Sequence, residues 1–333
     1  VTANATTRLL QHYVDNFRHL PWRSPPGAPP MDPYRVWLSE VMLQQTTVAA
    51  VTPRFERFVT KWPTVEALAA ADDADVFAEW AGLGYYARAR NLLACARKVA
   101  ARGGFPASAA DLRGLPGIGP YTASAIAAIA FGEAAPAIDT NIRRVIARLH
   151  ALERPSDAEI EALLGNMIPA GRAGDFIQAL MDLGATICRA RAPRCDHCPL
   201  RTDCQAFATG QPEAFPAPKI KTVRPQRYGI AWWIERDGAV WLVRRPHKGL
   251  LGGMAALPSS DWGDSLAPDV NALSMVRHVF THFALDLKIV RAGEPIGEGW
   301  WHPVDRLADA GLPTLFKRAA ALAVAARRPC AAA

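Results

Sequence analysis

The sequence predicts two domains of different class. A mostly α-helical domain covers residues 1–208 and a smaller α+β domain covers 228–333. Three observations predict this. The chain has 333 residues, a length that suits two cores. Apolar residues recur at helical spacing through the first part, whereas from Tyr228 they alternate at period two. Between these patterns lies a linker, 209–227, carrying Pro212, Pro216, Pro218 and Pro225.

Half the residues are hydrophobic, enough for sizeable cores, and the net charge is +7. A basic balance suits a polyanionic partner. No apolar run approaches bilayer length, which argues against a membrane partner. The first residues lack a basic segment followed by an apolar one, so an intracellular, cytoplasmic location is expected. There, six cysteines point to metal ligands or reduced thiols more than to disulfides.

Residues 7–18 read as a helix with Leu9, Leu10, Tyr13, Val14 and Phe17 on one face. Leu20-Pro21-Trp22-Arg23 opens a loop; Trp22 can be a core aromatic or the wall of a pocket, with Arg23 reaching a base edge. Residues 34–51 read as one long helix. Its oddity is Glu40, among Val36, Trp37, Val41, Met42 and Leu43. A carboxylate on a helix is ordinarily solvated. In an apolar pocket its pKa rises, and it can hold a proton near neutrality for delivery to a leaving group. Gln44, Gln45 and Thr46 follow, polar and uncharged. Helical pattern continues over 64–83. Gly84-Tyr85-Tyr86-Ala87-Arg88-Ala89-Arg90-Asn91 then sets two rings beside two cations, either a nucleic-acid surface or a packed tyrosine pair. A further helix spans 91–101.

The densest stretch runs from Leu115 to Arg148. Leu115-Pro116-Gly117-Ile118-Gly119 is a turn whose glycines let backbone N–H groups face outward as an anion site. An apolar small-residue helix, 123–131, stops at Gly132. A short loop then delivers Asp139 and Asn141 to a basic helix, 142–150. Asp139 can cap that helix and serve chemistry, one carboxylate oxygen for each. Ser156 and Glu159 form a capping box, and 173–187 forms another helix. Cys188, Cys195, Cys198 and Cys204 follow, with six, two and five residues between them. Four thiolates in so short a loop need a metal, and zinc and [4Fe–4S] both accept four cysteines. Arg189, Arg191, Arg194 and Arg201 lie beside them. Cys95 and Cys330 read as ordinary thiols.

In the second domain a strand over 228–234 sets Ile230, Trp232 and Ile234 on one side and Ala231 and Trp233 on the other. Asp237-Gly238 makes a hairpin turn into a returning strand, 239–243. Residues 278–283 read as a further strand, and Trp301 to Arg318 closes the domain with a terminal helix.

The string from Leu115 to Arg148 resembles the helix-hairpin-helix, Gly/Pro-rich loop and Asp of a base-excision DNA glycosylase superfamily. The cysteine spacing resembles the iron–sulfur loop of its endonuclease III and MutY branch. Residues 228–254 resemble the opening of the Nudix (MutT-like) fold, but the chain after Met254 lacks the glutamates that hold magnesium for diphosphate hydrolysis. Together with Ser39-Glu40-Val41-Met42-Leu43-Gln44-Gln45-Thr46, nearly the whole chain resembles the MutY-type adenine DNA glycosylases.

The resemblance implies a two-lobe helical catalytic domain holding a [4Fe–4S] cluster on Cys188, Cys195, Cys198 and Cys204, and a Nudix-like domain that recognises 8-oxoguanine. It implies a monomer, associated with the nucleoid, acting on duplex DNA with 8-oxoguanine:adenine or G:A mispairs and flipping adenine into a pocket. Glu40 would protonate adenine at N7, Asp139 would stabilise the oxocarbenium-like sugar, Tyr121 would assist both, and Asn141 would orient the site. Arg23 and Trp22 would meet the base. Gln45 with Tyr85, or Gln44 and Tyr86 in their place, would wedge the gap, with Thr46 and Arg88 beside them, and Gly117 and Gly119 would hold a phosphate. Tyr121 stands where strand-cutting relatives carry a Schiff-base lysine, which implies a monofunctional enzyme. The family's Phe-Ser-His motif is here Phe280-Thr281-His282, a hydroxyl with an added methyl.

Overall fold

A computed structural model describes residues 3–80, 82–218, 223–246, 249–265 and 271–326. Linker residues 219–222 and Cys330 lie outside the described residues. The chain packs as two units, 1–83 with 88–219 and 84–87 with 220–333.

The first unit is helical. Its helices are α1 (Ala3–Asp15), α2 (Pro33–Leu43), α3 (Val48–Lys61), α4 (Val65–Ala69), α5 (Asp73–Trp80), α6 (Ala87–Ala101), α7 (Ala109–Leu112), α8 (Pro120–Phe131), α9 (Thr140–Leu149), α10 (Asp157–Gly165), α11 (Ala173–Thr186) and α12 (Gln205–Ala208). Helix α8 is the hub: Ala123 and Ala125 to Ala128 are buried, and α2, α7 and α11 all pack on it. Its small residues allow that crowding. A Cβ on Gly174 of α11 would meet Ala128 O at 2.9 Å, so the two backbones touch. Gly132 ends α8 in the left-handed conformation (φ 74°).

The sequence reads 34–51 as one helix, and here the structure differs. Helix α2 ends at Leu43, Gln45 takes φ 57°, and Thr47 starts α3 by accepting the Ala50 N–H. The cause is local hydrogen bonding that competes with helix. Thr46 Oγ1 donates to Gln44 O at 3.2 Å. Arg88 Nη1 donates to the Val41 and Met42 carbonyls at 2.9 and 3.0 Å, which satisfies the orphan end of α2.

The second unit is α+β. Strands β1 (Gln226–Trp233), β2 (Glu235–Arg236), β3 (Ala239–Arg244), β4 (Ala255–Ala256), β5 (Ala272–Val279), β6 (Ala284–Arg291) and β7 (Gly299–Pro303) precede α13 (Thr314–Ala325). One sheet runs β1-β6-β5, with β1 parallel and β5 antiparallel to β6. In the other, β3 pairs with β2, β4 and β7. Ala231 and Trp233 of β1 face a core with Leu242, Leu285, Leu287 and Phe316. The expected strand over 278–283 is instead a strand end and a turn: β5 stops at Val279, and the Phe280 N–H donates to Phe283 O at 2.9 Å. Phe280 and Phe283 both pack on the core, and their spacing of three suits a turn, not a strand.

Candidate active site

Glu40 lies on the core-facing side of α2 and is buried. Tyr121, at the start of α8, donates its hydroxyl hydrogen to Glu40 Oε2 at 2.8 Å. Burial pushes the Glu40 carboxyl up to about 7; the Tyr121 hydrogen bond and the Arg23 charge pull it down, and the Asp139 charge raises it. The ambiguity of a charged residue among apolar ones is resolved by position: the acid is desolvated and titrates near neutrality.

Asp139 is the N-cap of α9, and its two oxygens have two tasks. Oδ1 accepts from the Ile142 N–H at 2.6 Å, and Oδ2 accepts from Asn141 Nδ2 at 3.0 Å. Burial raises the Asp139 pKa; these bonds and the Arg144 charge oppose that and favour the anion. Asn141 is itself held: Arg144 Nη2 donates to Asn141 Oδ1 at 2.8 Å and to Gly184 O at 2.7 Å. A Cβ on Gly184 would meet Asn141 Cβ at 2.7 Å, so only glycine lets α11 come this close.

Glu40, Tyr121, Asp139, Asn141, Trp22 and Arg23 all line one cavity of about 1160 Å³ inside the first unit. Trp22 is both core residue and wall: it is buried, edge-on to Phe55 at 5.1 Å, and lines the cavity. Arg23 donates to both oxygens of Asp182 at 2.5 and 3.1 Å, and Arg18 donates to Asp182 Oδ1 at 2.9 Å. The two glutamines separate. Gln44 is half-buried with its amide donating to Thr122 Oγ1 at 3.4 Å, whereas Gln45 is exposed on its left-handed turn. Tyr85 also has positive φ (49°) and is more than half exposed, while Tyr86 is half-buried.

Arg88 is placed differently from a phosphate contact. Its guanidinium clamps the end of α2, donates to Leu83 O at 2.9 Å and covers the Trp80 ring at 5.2 Å. In the hairpin turn the glycines also differ. Gly117 has φ 73°, and a Cβ there would meet Asn91 Cβ at 2.6 Å. Gly119 is extended and serves as N-cap of α8.

Four residues of this region escape a reading of motifs: Gln178, Asp182, Arg144 and Arg148. Gln178 and Asp182 are buried polar residues one turn apart on apolar α11, the same signal that singles out Glu40. Arg144 and Arg148 lie on the basic helix, where charge alone suggests solvent.

The four loop cysteines form no disulfide among the described residues and lie on the short turns Cys195–His197 and Arg201–Asp203 and their flanks. Burial and then the neighbouring sulfurs raise the Cys198 thiol to about 12, and Cys195 and Cys204 shift upward for the same reasons. Arg148 Nη1 lies 3.4 Å from Cys188 Sγ, and Arg144 Nε donates to Cys188 O at 2.8 Å. Among the described residues no three His, Cys, Asp or Glu side chains are gathered tightly enough to share one metal ion. The donor set is all sulfur, with the Arg148 guanidinium against Cys188, and zinc and a [4Fe–4S] cluster both accept four cysteines.

In the second unit Thr281 and His282 are exposed at the tip of the β5–β6 turn. Phe280 lies behind them, stacked on Trp262 with centroids 5.6 Å apart.

Comparison with known proteins accords with this geometry. Residues 38–170 match the model of the HhH-GPD superfamily of base excision DNA repair proteins, and residues 229–322 match the NUDIX domain. An adenine DNA glycosylase of Mycolicibacterium smegmatis is 40% identical over 225 residues, covering 66% of this chain and 73% of that protein. One from Arabidopsis thaliana is 35% identical over 337 residues, 87% of this chain and 53% of its own. The chain spans 60% and 65% of the mouse and human relatives' length. A solved thermostable thymine-DNA glycosylase superposes with TM-score 0.56 at 28% identity, covering 61% of this chain and 95% of its own.

Proposed function

The chain belongs to the adenine DNA glycosylase family, and on that premise we propose that it hydrolyses the N-glycosidic bond of adenine mispaired with 8-oxoguanine or guanine in duplex DNA, leaving an abasic site. The observation that carries the reading is Glu40, buried in the cavity wall with Asp139 lining the same cavity and a pKa of about 7. A carboxyl in that state is a proton donor at neutral pH.

The adenosine leaves the base stack and enters the cavity. Glu40 gives its proton to adenine N7. The C1′–N9 bond breaks, its electron pair leaves with the base, and positive charge develops on the sugar. Asp139 answers that charge from a fixed position, held by Asn141 and the α9 backbone. Water adds its oxygen to C1′, and its proton returns to Glu40 or solvent. Trp22 and Arg23 line the base, and Gln45 and Tyr85, the exposed members of their pairs, fill the vacated stack. Gly117 and Gly119 present N–H groups to a phosphate. Thr46 and Tyr86 border the DNA. Tyr121 leaves no amine for a Schiff base, so strand cleavage is weak or absent.

Cys188, Cys195, Cys198 and Cys204 hold a [4Fe–4S] cluster that keeps the loop in shape. Phe280, Thr281 and His282 read the 8-oxoguanine strand. The enzyme works as a monomer inside the cell, at the nucleoid. The test is single-turnover adenine release opposite 8-oxoguanine, G, C or T on an iron-replete sample, followed by mild alkali. Fast release opposite 8-oxoguanine and slower release opposite G is expected; no release sinks the reading. Borohydride should trap no covalent adduct.

A further inference from the structure

Thr281 and His282 are exposed at the tip of the turn, and behind them lies a pile of flat groups. Phe280 stacks on Trp262 with an interplanar angle of 24°. His278 meets the edge of Phe280 at 4.6 Å, and Phe283 packs on both Phe280 and Trp262 at 4.8 and 6.3 Å. The Arg245 guanidinium covers the Trp262 ring at 4.8 Å and is itself fixed, donating to Leu250 O and Ser259 Oγ at 3.2 Å each. The segment bearing Trp262 is tied along β1: Tyr228 N–H donates to Gly263 O at 2.8 Å and Gly263 N–H to Tyr228 O at 3.1 Å. The ring edge needs room, and Gly229 supplies it; a Cβ there would meet Trp262 Cδ1 at 2.6 Å. Gly229 has no positive φ, so its missing side chain is a matter of space, not backbone conformation.

We infer that Trp262, seated against Gly229 and covered by Arg245, is the positioning residue of the Phe280–His282 turn and thereby sets discrimination between 8-oxoguanine and guanine opposite the excised adenine. The tryptophan touches neither strand in this scheme. It sets the height of Phe280, and Phe280 carries the adjoining Thr281 hydroxyl and His282 ring, where a displacement of about 1 Å is enough to lose a hydrogen bond. Among the described residues the buried nitrogen of the Trp262 ring has no hydrogen-bond partner, so its contribution is the flat surface and not a polar contact.

The inference rests on the proposed function, and one experiment separates the two. Single-turnover adenine release is measured opposite 8-oxoguanine and opposite G for the full chain and for Trp262→Ala, Trp262→Phe, Gly229→Ala and Arg245→Met, with thermal melting of each. The unsubstituted chain's own ratio tests the proposed function. For Trp262→Ala and Gly229→Ala the ratio should fall by about tenfold with release opposite G unchanged. Trp262→Phe keeps a stacking ring and should keep the ratio; Arg245→Met should lower it by less than Trp262→Ala. Should Trp262→Ala melt early, Gly229→Ala and Arg245→Met decide, since both leave the ring in place to be displaced. Unchanged ratios in these variants, or equal losses opposite both bases, overturn the inference.

Discussion

Glu40 and Thr281 stand at opposite extremes of solvation. Glu40 is buried on a helix, among apolar neighbours, and accepts a hydrogen bond from the Tyr121 hydroxyl. Thr281 is exposed on a turn, and the order around it comes from rings packed behind. The difference follows from what each region does in the proposed function. Proton donation needs a perturbed pKa, and burial is the direct way to obtain one. Reading a base needs hydrogen-bonding groups that can reach DNA, so they must be exposed while their backbone is not free to move. In the proposed function the helical unit therefore carries its chemistry inside, and the α+β unit carries its reading groups on a supported edge.

The most damaging change to the first half of this comparison is Glu40→Gln. It keeps shape and removes the proton, and should slow adenine release by about 10²- to 10⁴-fold. The ratio of rates opposite 8-oxoguanine and G should stay constant, because the variant touches only the chemical step. A changed ratio would show that excision and reading are not separable, and the comparison would fail.

The same residue sharpens the comparison through stability. Its carboxyl is raised from 4.5 to about 7 in the folded chain. Below about pH 4.5 both states hold the proton, and Glu40 adds no pH dependence. Between 4.5 and 7 the folded state keeps a proton that the unfolded state has lost, so the stability contribution declines as pH rises, by about 3 kcal/mol in all. Urea unfolding from pH 5 to 8 should show this decline, and the decline should be missing in Glu40→Gln. Next in size is Thr281→Ala, which should lower the 8-oxoguanine to G ratio by about tenfold, one good hydrogen bond's worth, with no shift in the pH dependence of release.

The two regions were also unequally legible in the sequence. The hairpin turn, the α8 helix and its Gly132 stop, and the cap at Asp139 are local signals, each written within a few residues, and the structure has all of them. The end of α2 was not legible, because a left-handed glutamine carries no glycine-like mark and the Arg88 clamp comes from 46 residues away. The Arg144 bond to Gly184 and the Arg23–Asp182 pair join segments far apart in sequence, and no periodicity encodes them. The 280–283 turn reads as strand in the sequence because its two phenylalanines mimic an apolar run. Both phenylalanines pack on the core, whereas a strand would set residues three apart on opposite faces.

The smallest effect, and the finest test of the buried side, is a shift of a pH limb in Tyr121→Phe. Release should decline as pH rises through about 7, since the active form is protonated Glu40. The Tyr121 hydroxyl donates to Glu40 Oε2, a bond that favours the ionised carboxylate and holds the pKa down. Phenylalanine removes that donor from an otherwise unchanged apolar site. The Glu40 pKa should then rise further, and the declining limb should move to higher pH, while a purely supportive Tyr121 would lower the rate at every pH and leave the limb in place. The 8-oxoguanine to G ratio should not move at any pH. A limb that moves to lower pH would mean that the hydroxyl stabilises the protonated acid, and the polarity assigned to the buried pair would be reversed.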